Sequence, residues 1–141
     1  EIYQCDWSSD VCSSDLDRIA ARSGTREYGV LAVQTSLVAD AELLFTLPPG
    51  AFRPPPQVTS AVVRLRFRPP TVDVGDRARF ERVVRTVFQQ RRKTVSNGLK
   101  PLLLATGPTV AAVLERAGVD GAKRPEELDL DAFARLTRAM V

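Results

Sequence analysis

The sequence predicts a mostly helical α/β chain, in which a helix and an antiparallel β-hairpin precede a small all-α domain. Residues 60–67 alternate apolar and polar side chains, which is the period of a half-buried strand. Residues 41–47 form a second apolar run nearby in the chain, so the two runs are expected to pair antiparallel. From residue 76 onwards the apolar spacing becomes helical and stays so.

The part before the hairpin is predicted to be helical from residue 17 to residue 40. Residues 17–22 read as the end of a helix that Ser23 and Gly24 terminate. The next helix is predicted from apolar residues at roughly helical spacing, namely Tyr28, Leu31, Val33, Leu37 and Val38. A two-stranded hairpin is only marginally stable by itself, so we expect it to need more sheet beside it than this chain offers.

The connection between the two strands is stiffened by proline. Five of the ten prolines lie in residues 48–56, and proline fixes φ and lacks the backbone donor that a sheet or helix requires. The connection is therefore expected to be an extended loop that presents Phe52 between two proline clusters. Two interpretations stay open: the ring belongs to a binding site, or it is tucked into the core.

Residues 76–141 are predicted to form four helices, after a proline-containing linker at 69–75. Asp76 and Asp129 are suited to N-cap the first and last of them. Pro108 is expected in the first turn of the third helix, and Gly118 is expected to end it. The inward residues of the four helices are Phe80, Val83, Val84, Val87 and Phe88; Val95, Leu99, Leu102 and Leu103; Val110, Val113, Leu114 and Ala117; and Leu130, Phe133, Leu136 and Met140.

Composition excludes several classes of protein. The 141 residues are 44% hydrophobic and 26% charged, and no apolar run approaches the ~20 residues of a membrane helix. There is no histidine, so a Ser-His triad and a histidine base are excluded. Both cysteines, Cys5 and Cys12, fall within an N-terminal segment of foreign character, so no zinc site or disulfide is inferred from them.

That segment, residues 1–16, is interpreted as an artefact rather than native protein. Residues 6–16 (DWSSDVCSSDL) match the translation of a common sequencing adapter without interruption. We therefore exclude residues 1–16 from the prediction of the fold, as for any processing scar. They carry four acidic and no basic residues, so without them the net charge of +3 becomes +7.

The positive charge is concentrated in one part of the chain. Residues 52–100 contain twelve Lys/Arg and only three Asp/Glu, which suits a polyanionic partner such as RNA. The densest cluster is residues 89–93 (QQRRK), and the strand arginines Arg64, Arg66 and Arg68 adjoin it in the prediction. The alternative is an ordinary solvated helix end, where cations also complement the helix dipole.

Four motifs resemble one enzyme family. Residues 48–65 (PPGAFRPPPQVTSAVVRL), 88–100 (FQQRRKTVSNGLK), 117–128 (AGVDGAKRPEEL) and 17–29 follow the pattern of bacterial small-subunit rRNA adenine N6,N6-dimethyltransferases of the KsgA type. The resemblance covers essentially all of residues 17–141. Gln57 and Ser96 depart from it, because the family usually has basic residues there, and each departure removes one candidate phosphate contact.

The resemblance implies methyl transfer from S-adenosylmethionine, without a metal, to two neighbouring adenines of 16S rRNA in the small ribosomal subunit. It implies that residues 17–68 end a Rossmann-like methyltransferase domain, 69–75 are a linker and 76–141 form the helical domain. It places Phe52 beside the extruded target adenine. We expect RNA contacts from Arg53, Arg91, Arg92, Lys93 and Lys100, and a monomeric, cytoplasmic protein.

The motifs that would bind the cofactor and hold the target amine are missing from this sequence. No GxGxxG pattern occurs, and the one asparagine, Asn97, is not in an Asn-Leu-Pro-Tyr motif. We therefore assign no catalytic or cofactor-binding residue, and expect a truncated enzyme that is inactive alone. Two alternatives remain: a related 23S rRNA methyltransferase, and a non-catalytic rRNA-binding or ribosome-assembly module.

Overall fold

The computed structural model describes residues 13–104 and 107–141. Within these ranges the chain forms six α-helices, two β-strands and two short 3-10 helices. In chain order they are α1 (Ser13–Ile19), α2 (Val30–Val38), β1 (Ala39–Leu47), a 3-10 turn (Pro49–Ala51), β2 (Ser60–Phe67), α3 (Arg77–Gln89), α4 (Val95–Leu103), α5 (Val110–Ala117), a second 3-10 turn (Pro125–Glu127) and α6 (Leu130–Ala139). Residues 1–12 of the proposed adapter segment lie outside the described residues.

The predicted hairpin is confirmed. β1 and β2 pair antiparallel from Ala39 opposite Phe67 to Leu47 opposite Ser60, with an irregularity between Leu43 and Phe45. The expected buried face is only partly buried: Val63 is 5% exposed, but Phe67 is 59% exposed. In the described part of the chain the sheet has two strands, so neither has a further strand at its outer edge. Phe67, which the alternation of β2 puts on the same face as Val63, is therefore not part of the core.

Arg68 connects the end of β2 to α2, the helix that precedes β1. Its Nε donates to Asp40 Oδ1 at 3.0 Å, and another guanidinium nitrogen donates to the Ser36 carbonyl at 2.9 Å. Ser36 lies in the last turn of α2, whose free carbonyls and dipole both favour a cation. The base of the hairpin is thus held to the C-terminus of α2.

One hydrophobic core joins α2 to the helical region. Val33 and Leu37 of α2 belong to the same buried cluster as Phe80 of α3 and Leu136 of α6. Val74, in the proposed linker, is also buried in it. The domain boundary at residues 69–75 stays a prediction, although the hydrophobic core continues across these residues.

The local signals for helix ends were largely correct. Asp76 accepts a hydrogen bond from the Ala78 N–H at 2.9 Å, and Asp129 accepts one from the Ala132 N–H at 2.8 Å. Gly118 ends α5 in the left-handed region, with φ of 61°. Pro108 was wrongly placed in the first turn of α5, because Thr109 N-caps that helix and Val110 begins it.

Gly98 sets the close crossing of α3 and α4. A Cβ built on Gly98 would lie 3.3 Å from the Val87 Cα, which is tighter than ordinary van der Waals contact. Because glycine has no side chain, α4 can approach the backbone of α3 at this point. The crossing brings the turn at residues 90–94 and the outer side of α4 to the surface together.

An aromatic stack lies against the core, and its middle ring, Phe88, is partly buried. The rings of Tyr28 and Phe88 meet edge to face with centroids 6.0 Å apart, and Phe88 lies 5.7 Å from Phe133. The stack therefore connects the segment before α2 with α3 and α6. Burial, with the nearby Asp129 carboxylate acting in the same direction, raises the pKa of Tyr28 well above its usual range.

This pKa predicts alkaline destabilisation through Tyr28. Below about pH 10 the Tyr28 phenol is neutral in both the folded and the unfolded state. Above about pH 10 it ionises in the unfolded chain but stays neutral in the folded protein until a higher pH. The unfolded state then binds fewer protons, so the free energy of unfolding falls with rising pH, by up to about 1.4 kcal/mol per unit. Tyr28→Phe should remove this part of the fall between pH 9 and 11 in urea titrations. Equal slopes for the two proteins would contradict the assignment.

Residues 13–104 and 107–141 contain neither a membrane span nor a metal cluster. No helix there is both long and apolar enough to cross a membrane. No group of three or more His, Cys, Asp or Glu side chains there is placed to hold a metal ion.

Candidate nucleic-acid interface

The loop between the strands presents Phe52 and Arg53 at the tip of the hairpin. The 3-10 turn at Pro49–Ala51 ends when the Phe52 N–H donates to the Pro49 carbonyl at 3.3 Å. Phe52 is half-buried and is not a member of the hydrophobic core, so the interpretation that it is tucked into the core was wrong. Arg53 is exposed. The loop therefore holds an aromatic ring partly open to solvent beside a cation.

The basic cluster lies in the turn between α3 and α4. The Lys93 N–H donates to the Gln90 carbonyl at 2.7 Å, which closes a tight turn after α3. Arg92 and Lys93 in this turn, and Lys100 on the outer side of α4, are exposed. None of these three forms an ion pair with any residue the structure describes. Their charges are therefore available to a partner.

Two backbone donors at the N-terminus of α4 are already used within the protein. The Val95 N–H donates to the Lys123 carbonyl at 2.8 Å, and the Ser96 N–H donates to the Gly121 carbonyl at 3.1 Å. These backbone groups would otherwise be open to an anion. Anion binding beside this helix end therefore relies on Arg92 and Lys93 more than on these two backbone groups.

Two arginines that were not assigned to the site extend the basic surface along α3. Arg82 and Arg85 are exposed, and they share the outer side of α3 with Gln89. Arg85 and Gln89 lie three and seven residues after Arg82, which is the spacing of residues on one face of a helix. Neither arginine was among the site residues predicted from the sequence, although the same helical spacing that indicated the buried face of α3 could have revealed this one.

Arg91 is bound within the protein. Its Nε lies 3.2 Å from Glu126 Oε2, and another guanidinium nitrogen donates to the Arg26 carbonyl. Glu126 lies in the second 3-10 turn, and Arg26 precedes α2. A phosphate contact by Arg91 stays a prediction, and it would compete with these partners.

The strand arginines are less available than the sequence suggested. Arg64 lies opposite Glu42 in the ladder and pairs with it at 3.5 Å, and Arg68 pairs with Asp40 at 3.0 Å. Of the three arginines, only Arg66 lacks a salt bridge to a described residue. The acidic residues of β1 therefore offset most of the positive charge that was expected on this strand.

Comparison with solved structures identifies the class of protein. The chain superposes on a dimethyladenosine transferase from Plasmodium falciparum with a TM-score of 0.73 at 20% identity, covering 89% of this chain and 53% of that one. It also matches the 23S rRNA methyltransferase ErmE with a TM-score of 0.52 at 27% identity, covering 84% of this chain and 50% of that one. The fold is that of part of an rRNA methyltransferase, as the sequence predicted.

Sequence comparison gives the family. Residues 13–140 match the family described as ribosomal RNA adenine dimethylase, and the chain belongs to this family. A similar protein is the ribosomal RNA small subunit methyltransferase A of Myxococcus xanthus, 45% identical over 127 residues. The match includes 89% of this chain but 45% of that protein, so the chain spans less than half the length of this relative.

The family match also bears on the N-terminal segment interpreted as an artefact. It begins at residue 13, and Leu16 in α1 is buried with 6% of its surface exposed. Residues 13–16 therefore lie inside both the match and the described fold. The origin of residues 1–16 in an adapter stays a prediction.

Proposed function

We propose that this chain supplies the RNA-facing loop and the helical domain of an enzyme that dimethylates two neighbouring adenines of 16S rRNA. The observation that carries the proposal is the 45% identity with a protein named as a small-subunit rRNA methyltransferase. The exposed cations and the half-open Phe52 support it, since a flipped base needs an aromatic platform and the backbone around it needs cations. The enzyme would act on the small ribosomal subunit, as a monomer in the cytoplasm.

The chemistry needs positioning more than acid–base catalysis. An exocyclic adenine amine is a weak nucleophile, so the enzyme must extract the base and hold the amine in line with the methyl group. In this chain Phe52 would stack on or beside the extruded adenine, and Arg53 would contact the backbone next to it. Arg92, Lys93 and Lys100 would bind phosphates further away and fix the register of the RNA.

S-adenosylmethionine would supply the methyl group, and we assign none of the described residues to its binding. β1 is followed by the proline loop and β2 by the segment that leads to α3, so neither strand enters a Gly-rich turn into a helix. We therefore expect residues 17–141 alone to bind neither the cofactor nor its analogues. Cofactor binding by these residues alone would overturn this part of the proposal.

A chimera tests the proposed activity. Residues 17–141 would replace the aligned region of the Myxococcus xanthus relative, which keeps the rest of that protein. We expect the chimera to transfer labelled methyl groups from S-adenosylmethionine to 30S subunits that lack dimethyladenosine, and not to 50S subunits. Phe52→Ala should slow the transfer about 5- to 150-fold, because stacking on a base contributes about 1–3 kcal/mol.

The control and the contrary outcomes are specific. Leu104→Ala changes an apolar side chain just after α4 that is 89% exposed, outside the hairpin, and should leave the rate unchanged. Label in 50S subunits would favour the large-subunit target that the likeness to ErmE suggests. A folded chimera that binds RNA and cofactor without transferring label would favour the non-catalytic module.

A further inference from the structure

A clasp of two side chains holds the segment before α2 against the helical region. Arg91 donates its Nε to Glu126 Oε2 at 3.2 Å and donates from another nitrogen to the Arg26 carbonyl. The main-chain carbonyl of Glu126 accepts from the Gly24 N–H at 2.6 Å. Arg91, Glu126 and residues 24–26 therefore form one closed set of contacts, which we call the clasp.

The clasp lies in a part of the molecule where packing also converges. Arg91 lies two residues after the end of α3, whose Phe88 contacts the rings of both Tyr28 and Phe133. Tyr28 is 4% exposed and comes two residues after Arg26. The Arg91 and Glu126 side chains are 38% and 28% exposed, so water screens this pair only in part.

We propose that Arg91 is a positioning residue that fixes α2 and the hairpin relative to the RNA-binding helices, while its neighbour Arg92 contacts phosphate. A guanidinium is suited to this role because its planar fork directs several N–H donors to two acceptors at once. An arginine then holds the chain at each end of α2. Arg91 of the clasp holds the segment before the N-terminus, and Arg68 holds the C-terminus.

The consequence follows the chain from α2 into the hairpin. α2 continues without a break into β1, and the hairpin carries Phe52 at its tip. If the clasp opens, the angle between the loop of Phe52 and the turn of Arg92 is less constrained. This consequence for methylation rests on the proposed function, whereas the clasp itself does not.

Neighbouring substitutions separate the two roles. Arg91→Gln and Arg92→Gln remove the same charge from adjacent residues. We expect Arg91→Gln to lower the Tm of the chain by on the order of 5 °C and to leave unchanged the salt dependence of binding to 16S rRNA. Arg92→Gln should leave the Tm unchanged and reduce the slope of log K against log salt by about 0.7–0.9.

Exchanging the partners tests the contact directly. Arg91→Glu and Glu126→Arg should each lower the Tm, because each places like charges together. The double variant should regain part of the lost Tm. A general effect of charge would not produce this recovery. Arg91→Lys should fall between the parent and Arg91→Gln, because an ammonium cannot reproduce the planar fork. It is the milder variant if a reversal does not fold.

Contrary results have distinct meanings. An unchanged Tm for Arg91→Gln together with a reduced salt slope would overturn the clasp and restore Arg91 as a phosphate contact. Absence of rescue in the exchanged pair would also count against the clasp. In the chimera, Arg91→Gln should lower kcat with the KM for 30S subunits unchanged, whereas a raised KM would contradict the positioning role. Failure of the parent chain to bind 16S rRNA would contradict the proposed function, and the Tm results would still decide the clasp.

Discussion

Phe133→Ala should lower the free energy of unfolding by about 3–5 kcal/mol, near the upper end of what one truncated side chain costs. Phe133 is 0% exposed and lies against Phe88 in the stack that connects α3 and α6. Removing the ring leaves a cavity between these helices and the segment of Tyr28, which α2 and the core around it cannot fill without moving. The Tm should fall by on the order of 15 °C in thermal unfolding followed by circular dichroism.

The matched control is the same truncation at an exposed ring. Phe45 is 53% exposed on β1, so Phe45→Ala should change the free energy of unfolding by no more than about 0.5 kcal/mol. Similar effects of the two substitutions would mean that the cluster joining α2, α3 and α6 is not what stabilises the fold.

The largest effect on binding is expected from reversing three exposed cations. Arg92→Glu, Lys93→Glu and Lys100→Glu together should reduce the slope of log K against log salt by about 2–3, since each lost phosphate contact contributes about 0.7–0.9. Affinity for 16S rRNA near physiological salt should fall by roughly 100-fold or more. Arg91 is left in place, because its reversal would also open the clasp.

A control with the same change in charge shows whether position matters. Arg77, Arg116 and Arg138 are exposed, and they lie at the start of α3, on α5 and on α6. Arg77 is about 18 Å along α3 from the turn that carries Arg92. Reversing these three should change the slope much less. Equal losses in the two triple variants would indicate attraction by net charge alone, and would contradict the assigned contacts.

Features determined by a few consecutive residues could be predicted from the sequence. The caps by Asp76 and Asp129 and the ending at Gly118 depend on local backbone chemistry, and the structure confirms all three. β2 has the predicted bounds because its alternation is regular. The prolines indicated a loop but left the position of Phe52 open, and only the structure places it outside the core.

Features that depend on distant partners could not be predicted in this way. Glu126 is 35 residues from Arg91, and the motif around Arg91 contains nothing that indicates such a partner. Arg64 and Arg68 were assigned to a basic face because the cross-strand register, which brings Glu42 and Asp40 to them, follows only from the paired strands. Phe67 is exposed because a strand pattern shows which face is apolar without showing what covers it.

The shared core of α2, α3 and α6 has a consequence for cooperativity. Amide hydrogens of helices that are buried in one cluster exchange with solvent only when that cluster opens as a unit. The amides of α2 should therefore exchange as slowly as those of α3, although the proline-rich segment 69–75 separates the two helices in sequence. The hairpin, with Leu43, Phe45 and Phe67 open to water, should exchange faster. The boundary between slow and fast amide exchange then falls at Ala39, where β1 begins after α2. The loop of Phe52 belongs to the hairpin, on the faster-exchanging side of this boundary.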